Sequence, residues 1–370
     1  MEPAPKLRNV LNLKVVNGLS QNIKKTYPQF QDKKFLEFIN PKLDELTLKE
    51  RVKLIREGLE KYLPKDFNQA ANILINSLGN ELALKDGETD WSSFIIWPQT
   101  DYIAKNGLDN FDSSMKALYE MTKRFTAEWD IRPFIEQNPT KTLELLKIWA
   151  VDSNLHVRRL ASEGSRPRLP WGMALKDFKK NPAPVIEILE ILKDDPELYV
   201  RRSVANNIND ISKDNPQIVI NLLKKWQENS NKNRDWIIKH ALRTLFKKGH
   251  KEALALVGNY FPKIKLERLN LEKNNIKIGE NLNFLVSIES LIKQKLMIDC
   301  KIYYLKANGK HNEKVFKLAG KKADKKEKLE VKGKISFKNM TTRKHYPGQH
   351  FIEILVNGER FNKEEFFVKS

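Results

Sequence analysis

The sequence predicts a mainly α protein in which a long helical superhelix is followed by a smaller β-sandwich. Two observations lead to this prediction. The chain has 370 residues, more than one hydrophobic core usually organises, so we expect two domains. Apolar residues recur at spacings of three and four up to about residue 262, and at a spacing of two beyond it. We therefore place a helical domain at residues 1–262 and a sandwich at residues 263–370.

The helical domain contains a sequence repeat. Three segments begin at Asn138, Asn181 and Asn215, each followed by proline, and each continues with an amphipathic helix, a polar turn and a second helix. Asparagine favours the N-cap position, and proline favours the first helical position. The intervals of 43 and 34 residues fall around the range of HEAT and armadillo helix pairs. These features predict an α-α superhelix of HEAT-like repeats.

Each second helix of the repeat carries a basic pair near its start. The pairs are Arg158–Arg159, Arg201–Arg202 and Lys239–His240. Equivalent positions of stacked repeats align along one face, so the pairs predict a stripe of positive charge able to follow a phosphate backbone. Further candidates are Arg166, Arg168 and Arg243. The alternative is that such arginines bind an acidic residue of the neighbouring repeat, and it stays open.

The C-terminal part alternates apolar and polar residues in short runs separated by Asn-Gly and glycine. This pattern is typical of antiparallel strands and hairpins, and several runs within about 107 residues predict an immunoglobulin-like β-sandwich. Residues 264–370 hold 24 Lys and Arg against 13 Asp and Glu. The loop at 341–350, with Arg343, Lys344, His345 and Tyr346, is a candidate to enter or flank a DNA minor groove, although most such charge runs are solvated loops.

Bulk composition narrows the classes of function. The chain holds 67 Lys and Arg against 47 Asp and Glu, a formal charge of +20, which argues for a polyanionic partner. A single cysteine, Cys300, excludes a disulfide framework and favours a reducing compartment. Neither a signal peptide nor an apolar run of about 18 residues is present, so we expect a soluble cytoplasmic protein.

Metal and nucleotide chemistry find little support in the sequence. The six histidines are scattered, and the sequence contains no HExxH motif. It also contains neither a phosphate-binding loop of the GxxxxGK(S/T) type nor a GxGxxG motif after a predicted strand. No metal or cofactor is therefore predicted. The remaining candidates are acids in basic surroundings, namely Glu128, Glu163 and Asp210. An acid facing a phosphate groove weakens binding, whereas it can stabilise positive charge that develops on a sugar. Ordinary ion pairs and turn caps are the alternative roles.

Two tryptophans are candidates for contact with a ligand. Trp97 and Trp171 each adjoin a proline, which we expect to turn the chain near the surface. The other tryptophans of the helical domain are expected in the core.

Three stretches carry a resemblance to a known family. They are residues 95–135 with "FTAEWDIRPFI", residues 156–171, "HVRRLASEGSRPRLPW", and residues 199–216, "YVRRSVANNINDISKDNP". Together they resemble the bacterial DNA alkylation-repair glycosylases with HEAT-like repeats. The AlkC type adds a C-terminal immunoglobulin-like domain that the AlkD type lacks, so residues 264–370 favour AlkC.

The resemblance implies hydrolysis of the N-glycosidic bond of cationic N-alkylated bases, 3-methyladenine above all and also 3-methylcytosine, in bent duplex DNA. It places Glu128 against the deoxyribose and Asp210 opposite, with Glu163 and Trp171 at the same site; which acid orients water stays open. The implied phosphate contacts are Arg158, Arg159, Arg166, Arg168, Arg201, Lys239 and Arg243, and the implied minor-groove contacts are Arg343, Lys344 and Tyr346.

Three hypotheses follow. The first is a metal-free monofunctional glycosylase that acts as a monomer on double-stranded DNA, without a membrane or an obligate protein partner. The second is a non-enzymatic HEAT scaffold that binds DNA or an acidic protein. The third, a β-lyase that also cuts the strand, requires a reactive lysine at the site, and the sequence places none there.

Overall fold

A computed structural model describes residues 7–82, 91–340 and 344–370, and it confirms the mainly α class with a C-terminal sandwich. Within these residues, sixteen α-helices precede eight β-strands. The chain divides into two compact units, one of Met1–Asn215 with Asn229–Ala241 and one of Pro216–Glu228 with Leu242–Ser370. The change from helix to strand falls between Leu256 and Ile264, but three helices belong to the unit that holds the strands.

The first unit is built from helices that pack in pairs. In chain order they are α1 (Leu13–Thr26), α2 (Asp32–Leu43), α3 (Leu48–Tyr62), α4 (Phe67–Asn76), α5 (Trp97–Asn106), α6 (Phe111–Thr122), α7 (Arg132–Gln137), α8 (Pro139–Trp149), α9 (Leu155–Gly164), α10 (Lys176–Lys180), α11 (Ala183–Leu192), α12 (Leu198–Ile211) and, after α13 (Pro216–Glu228) of the second unit, α14 (Lys232–Ala241). The second helices of the repeats stack, with α9 against α12 and α12 against α14. This stacking brings side chains about 40 residues apart in sequence into contact.

The predicted helix starts are close to those observed. Asn138 and Asn215 occupy the N-cap positions of α8 and α13, each with proline at the first helical position. α11 begins at Ala183, so Pro182 takes the N-cap position there. Asn181 still accepts a hydrogen bond from the backbone N–H of Ala183, at 3.1 Å.

The second unit combines helices with two sheets. Its remaining helices are α15 (Arg243–Lys247) and α16 (Lys251–Leu256), and its strands are β1 (Ile264–Leu271), β2 (Asn275–Lys277), β3 (Asn281–Ser290), β4 (Gln294–Leu305), β5 (His311–Ala323), β6 (Lys328–Ser336), β7 (Gly348–Val356) and β8 (Glu359–Lys369). One sheet has the order β1-β3-β6 and the other β2-β8-β7-β4-β5. Apart from the parallel β2–β8 pair, the paired strands are antiparallel.

The sandwich core follows from the alternation seen in the sequence. β3 alternates between half-buried and buried positions along its whole length, and its inward residues Phe284, Val286 and Ile288 join a core with Ile302 and Ile354. A strand with one buried face is what a two-sheet sandwich requires. Among the described helices, none is long and apolar enough to cross a membrane.

Candidate active site

Five charged side chains of alternating sign form a continuous chain inside the first unit. We call Glu128, Arg159, Glu163, Arg166 and Asp210 the charge chain. Arg159 of α9 binds Glu128 through Nη1 and lies 3.5 Å from Glu163 through Nη2. Arg166 then binds Glu163 at 2.6 Å and Asp210 of α12 at 2.8 Å. The structure therefore brings the three predicted acids together through two arginines.

Local helix geometry and repeat stacking both build this chain. Arg159 and Glu163 stand four residues apart on α9, so their side chains share one helix face. Arg166 follows the end of α9, and its partner Asp210 lies 44 residues further along the sequence. The contact between α9 and α12 is what brings these two side chains together.

The three acids differ in how many of their oxygens already accept hydrogen bonds. Both oxygens of Asp210 are engaged, one by Arg166 and the other by Lys213 at 2.8 Å. Both oxygens of Glu163 are engaged as well, since Ser203 donates to Oε2 at 2.6 Å and Arg166 to Oε1.

Glu128 is different. Its Oε2 accepts from Arg159 and from the Thr126 hydroxyl, whereas its Oε1 has no hydrogen-bond donor among the described residues. The side chain is about one tenth exposed. Glu128 is therefore the acid of the charge chain with an oxygen left for a ligand.

Electrostatic interactions stabilise the charged forms of Glu163 and Arg159 in the charge chain. Burial favours the neutral form of Glu163, but the charges of Arg159 and Arg166 outweigh it and keep the pKa of this carboxyl below its ordinary value. Burial likewise disfavours the charge of Arg159, yet Glu128, Tyr199 and Glu163 together raise the pKa of the guanidinium. The ring of Tyr199 also lies under this guanidinium, 5.1 Å from its carbon.

The pKa of a fourth acid, Asp130, which lies two residues after Glu128, is shifted in the opposite direction from that of Glu163. Asp130 is nearly fully buried, and burial raises its pKa well above the ordinary value, although a hydrogen bond with Thr100 opposes the shift. Burial therefore favours the neutral form of Asp130, in contrast to Glu163, where the neighbouring arginines favour the charged form.

The rings of three tryptophans, Trp97, Trp129 and Trp171, stack nearly parallel to one another. The rings of Trp97 and Trp129 lie 4.4 Å apart at 25°, and those of Trp129 and Trp171 lie 6.5 Å apart at 23°. Trp97 is 5% exposed and Trp171 is 59% exposed, so the stack runs from the core to the surface. The expectation that Trp97 lies near the surface is wrong, because Pro98 continues into α5 instead of turning the chain outward.

The segment that carries Trp171 is held by three donors from other parts of the unit. Trp129 donates to the carbonyl of Pro170 at 3.1 Å, Lys49 to that of Trp171 at 2.9 Å, and Arg132 to that of Met173 at 2.8 Å. Trp171 itself has a φ of +65°, a left-handed conformation that is costly for a bulky residue. These three bonds hold the backbone of the segment in this conformation.

The predicted stripe of basic pairs differs from the arrangement observed. Arg158 binds Asp195 through Nε and Nη2, at 2.6 and 3.2 Å, and donates Nη1 to the carbonyls of Asp152 and Ser153. Arg201 donates in the same way to two carbonyls of the turn before α12. Arg158 thus binds an acidic residue of the neighbouring repeat, which is the alternative that the sequence left open, whereas Arg201 donates to the turn of its own repeat. Phosphate contact at either arginine stays a prediction.

The third repeat also has a different register from the predicted one. The residue that matches Arg158 and Arg201 is Arg234, which binds Asp194 and donates to the carbonyl of Asn229. Lys239 and His240 were expected at this position, but they lie near the end of α14. Since Asp235 follows Arg234, the basic pair is not repeated there.

The other predicted DNA contacts fall into separate groups. In the first unit, Arg202 and Lys239 are exposed, and Arg168 pairs with Asp214 at 2.6 Å while 38% of its side chain stays exposed. In the second unit, Arg243 and Tyr346 are half-buried and Lys344 is exposed. Arg343 lies outside the described residues.

One residue of the predicted minor-groove loop is placed differently from the expectation. His345 is 5% exposed and packs against Tyr304 and Phe337, at ring distances of 5.4 and 4.9 Å. It belongs to the sandwich core, so it does not reach a groove in this conformation.

Several residues of the site are not predicted by the sequence patterns described above. They are Arg132, Tyr199, Ser203, Lys213 and Lys49. Lys213 could have been predicted, because it follows Asp210 by only three residues, in the turn after α12. It also corrects the expectation that no lysine lies near the acids. Lys49 lies 122 residues before Trp171 in the sequence, and no sequence pattern indicates this contact. Among the described residues, no cluster of His, Cys, Asp and Glu could hold a metal ion.

Comparison with known proteins supports a common family. The family model described as DNA alkylation repair enzyme matches residues 125–245, a range that contains the whole charge chain and Trp171. The model described as the C-terminal Ig-like domain of the uncharacterised protein YhaZ matches residues 265–370. YhaZ of Bacillus subtilis is 40% identical over 98% of this chain and 99% of its own length.

Among solved structures, the chain is similar to the alkylpurine DNA glycosylase AlkC of Pseudomonas fluorescens, determined bound to DNA containing an abasic site analog. The identity is 36% and the TM-score 0.90, and the match covers 99% of this chain and 100% of the other. A match of this length includes both the helical repeats and the sandwich. The chain therefore belongs to the DNA alkylation repair enzyme family, in the AlkC-like branch that carries a C-terminal Ig-like domain.

Proposed function

We propose that this protein is a DNA glycosylase that hydrolyses the N-glycosidic bond of cationic N-alkylated bases in duplex DNA and leaves an abasic site. The preferred lesion is 3-methyladenine, and 3-methylcytosine is a second substrate. The observation that carries the proposal is the charge chain, in which Glu128 keeps one oxygen without an internal donor. The similarity to an alkylpurine DNA glycosylase over 99% of the chain supports the same reaction.

The chemistry needs a carboxylate more than a strong acid. Alkylation gives the base a positive charge, so the base leaves as a neutral molecule with the electrons of the glycosidic bond. The sugar then gains positive charge at C1′, which a nearby carboxylate stabilises. Water attacks C1′ and loses a proton, and Glu128 Oε1 is the group proposed to orient this water and accept the proton.

Glu163 and Asp210 are proposed as positioning residues. Each has both oxygens bound by donors of the protein, so neither is arranged to accept a proton from water without losing a hydrogen bond. Through Arg159 and Arg166 they fix the side chain of Glu128 and tune the local potential. We therefore propose Glu128, rather than Glu163 or Asp210, as the acid that orients water.

Contact with the damaged nucleotide is assigned to the tryptophan stack. Trp171 presents an exposed ring, which suits packing against the sugar or the cationic base. Trp97 supports the stack from the core and is not proposed to touch the lesion.

Contact with phosphates is assigned to cations that the protein leaves exposed. These are Arg202 and Lys239 in the first unit and Lys344 in the second, with Arg168 contributing its exposed part. Tyr346 and Arg343 are proposed to accompany Lys344 at the minor groove.

The test is release of free base from methylated duplex DNA by the purified protein in the presence of a metal chelator. We expect 3-methyladenine in the supernatant and an intact strand that breaks only on alkaline heating, which marks an abasic site. Binding without base release would instead support the scaffold hypothesis.

A strand that breaks without heating would support lyase activity. Lys213 is then the amine to test, because it lies against Asp210. We expect no such cleavage, since Lys213 donates to that carboxylate, and Lys213→Gln should leave the product unchanged.

A further inference from the structure

Two lysines of the second unit face each other directly across paired strands. Lys295 of β4 and Lys322 of β5 are partners in the antiparallel register. Like charges at directly opposite positions destabilise a sheet. Neither lysine has an ion-pair partner among the described residues, so the protein itself does not relieve this repulsion.

Two exposed aromatic rings lie beside this lysine pair. Tyr260 and Phe261 are 70% and 67% exposed, and Ile292 adds further exposed apolar surface. Together with both lysines and Lys293 they line a groove of about 510 Å³, which we call the Tyr260 groove. Exposed neighbouring aromatic residues are unusual on a surface that no ligand covers.

The groove is built on fixed backbone. Asn357 donates to the carbonyl of Tyr260 at 2.7 Å, and Gln294 donates to that of Lys263 at 2.7 Å. Gly258, at a φ of +77°, lies under the side chain of Lys295, where a Cβ would be 3.2 Å from Nζ. The aromatic pair and the lysines are therefore held next to each other before any ligand arrives.

Charge and shape together select the ligand class. Lysines on an edge strand such as β5 also discourage pairing between sheets, so their presence alone does not require a ligand. The aromatic rings add a second requirement, namely flat apolar partners. Asp324 is the one acid among the residues that line the groove, and it pairs with Lys293 at 3.1 Å. The surface is thus complementary to an anion that carries flat rings.

We propose that the Tyr260 groove binds single-stranded DNA, with a phosphate between Lys295 and Lys322 and an unpaired base on Phe261 or Tyr260. Single-strand sites generally combine cations that follow the backbone with rings on which bases stack. Duplex DNA cannot use the rings in this way, because its bases are already stacked. The proposal rests on the proposed function only in taking DNA as the polymer.

The test is anisotropy of a short labelled oligothymidylate with the full-length protein, compared with a strand of equal length that lacks bases. Phe261→Ala should weaken binding of oligothymidylate about tenfold and leave the abasic strand unaffected. Lys322→Glu should weaken binding of both strands. The matched controls are Phe367→Ala, an exposed phenylalanine elsewhere in the unit, and Lys310→Glu at the other end of the β4–β5 hairpin.

Three results would overturn the proposal. The first is an unchanged affinity of Phe261→Ala for oligothymidylate, and the second is an equal loss in Lys322→Glu and Lys310→Glu, which would indicate general attraction by net charge. The third is displacement of the strand by polyglutamate with equal dependence on Phe261, which would indicate an acidic protein partner. Base release from methylated duplex is measured in parallel, so failure of the glycosylase proposal is seen separately.

Discussion

At the scale of single residues, the arrangement of donors around each acid decides its role. Arg159 and Arg166 each bind two carboxylates, and all five members of the charge chain are largely buried. A buried ion is stable only while its partners remain. The charge chain is therefore expected to be sensitive to the loss of any member, even one that never touches DNA.

Replacement of Arg166 tests this sensitivity. Arg166→Met leaves Glu163 with one arginine fewer and Asp210 with Lys213 alone, so the free energy of unfolding should fall by about 3 kcal/mol or more. Arg168→Met removes a more exposed pair with Asp214 and should cost less than about 1 kcal/mol. Urea denaturation of both variants gives the comparison, and equal losses would show that burial does not make the Arg166 pairs more important than the Arg168 pair.

Asp299 of β4 gives a prediction of pH dependence. Burial raises its pKa from 3.8 to about 6, against the opposing charges of Lys317 and Lys247. Between these two values the folded state holds more protons than the unfolded state, so the free energy of unfolding falls as the pH rises through this window. For this group the fall amounts to about 3 kcal/mol.

Asp299→Asn should remove this part of the pH dependence. We expect the variant to be more stable than the wild type above about pH 6, with the advantage shrinking toward about pH 4, as measured by urea denaturation across the range. Glu330→Gln, at an exposed position of the same unit, is the control. Parallel profiles for the wild type and Asp299→Asn would show that Asp299 is not held in the way described.

At the scale of elements, the segment around Trp171 shows how backbone strain serves the site. Its φ of +65° suits glycine far better than tryptophan. Trp171→Gly should therefore be more stable than Trp171→Ala by about 1 kcal/mol, while both lose the ring and release base more slowly than the wild type. Thermal unfolding and single-turnover rates test this pair, and equal stability of the two variants would remove the argument from strain.

The same segment shows what the sequence could and could not predict. The pairing of Arg159 with Glu163 is readable from their spacing on one helix. The bond between Arg166 and Asp210 is not, because it depends on how α9 stacks on α12. Similarly, the Asn-Pro signals predict where α8 and α13 begin. The predicted register of the third repeat is wrong, because the Lys239–His240 pair near the end of α14 resembles the basic pairs of the other repeats, while Arg234 occupies the equivalent position.

At the scale of the whole molecule, the charge of +20 is divided between internal pairs and exposed cations. The guanidinium of Arg158 binds Asp195 and the backbone carbonyl of Asp152, whereas Arg202 is exposed. Arg202→Gln should reduce the slope of log affinity for duplex DNA against log salt by about one. Arg158→Gln should leave that slope unchanged and lower the stability instead, and the reverse result would restore the predicted stripe of basic pairs.

Glu128 is proposed to act on the reacting nucleotide, and Asp210 and Glu163 are proposed to position it. The most direct measurement is the single-turnover rate of 3-methyladenine release, with DNA affinity measured in parallel, for Glu128→Gln, Asp210→Asn and the exposed control Glu136→Gln. We predict that Glu128→Gln slows release at least about 100-fold with affinity retained, that Asp210→Asn slows it less, and that Glu136→Gln matches the wild type. A Glu128→Gln variant that releases base at the wild-type rate would rule out this role of Glu128.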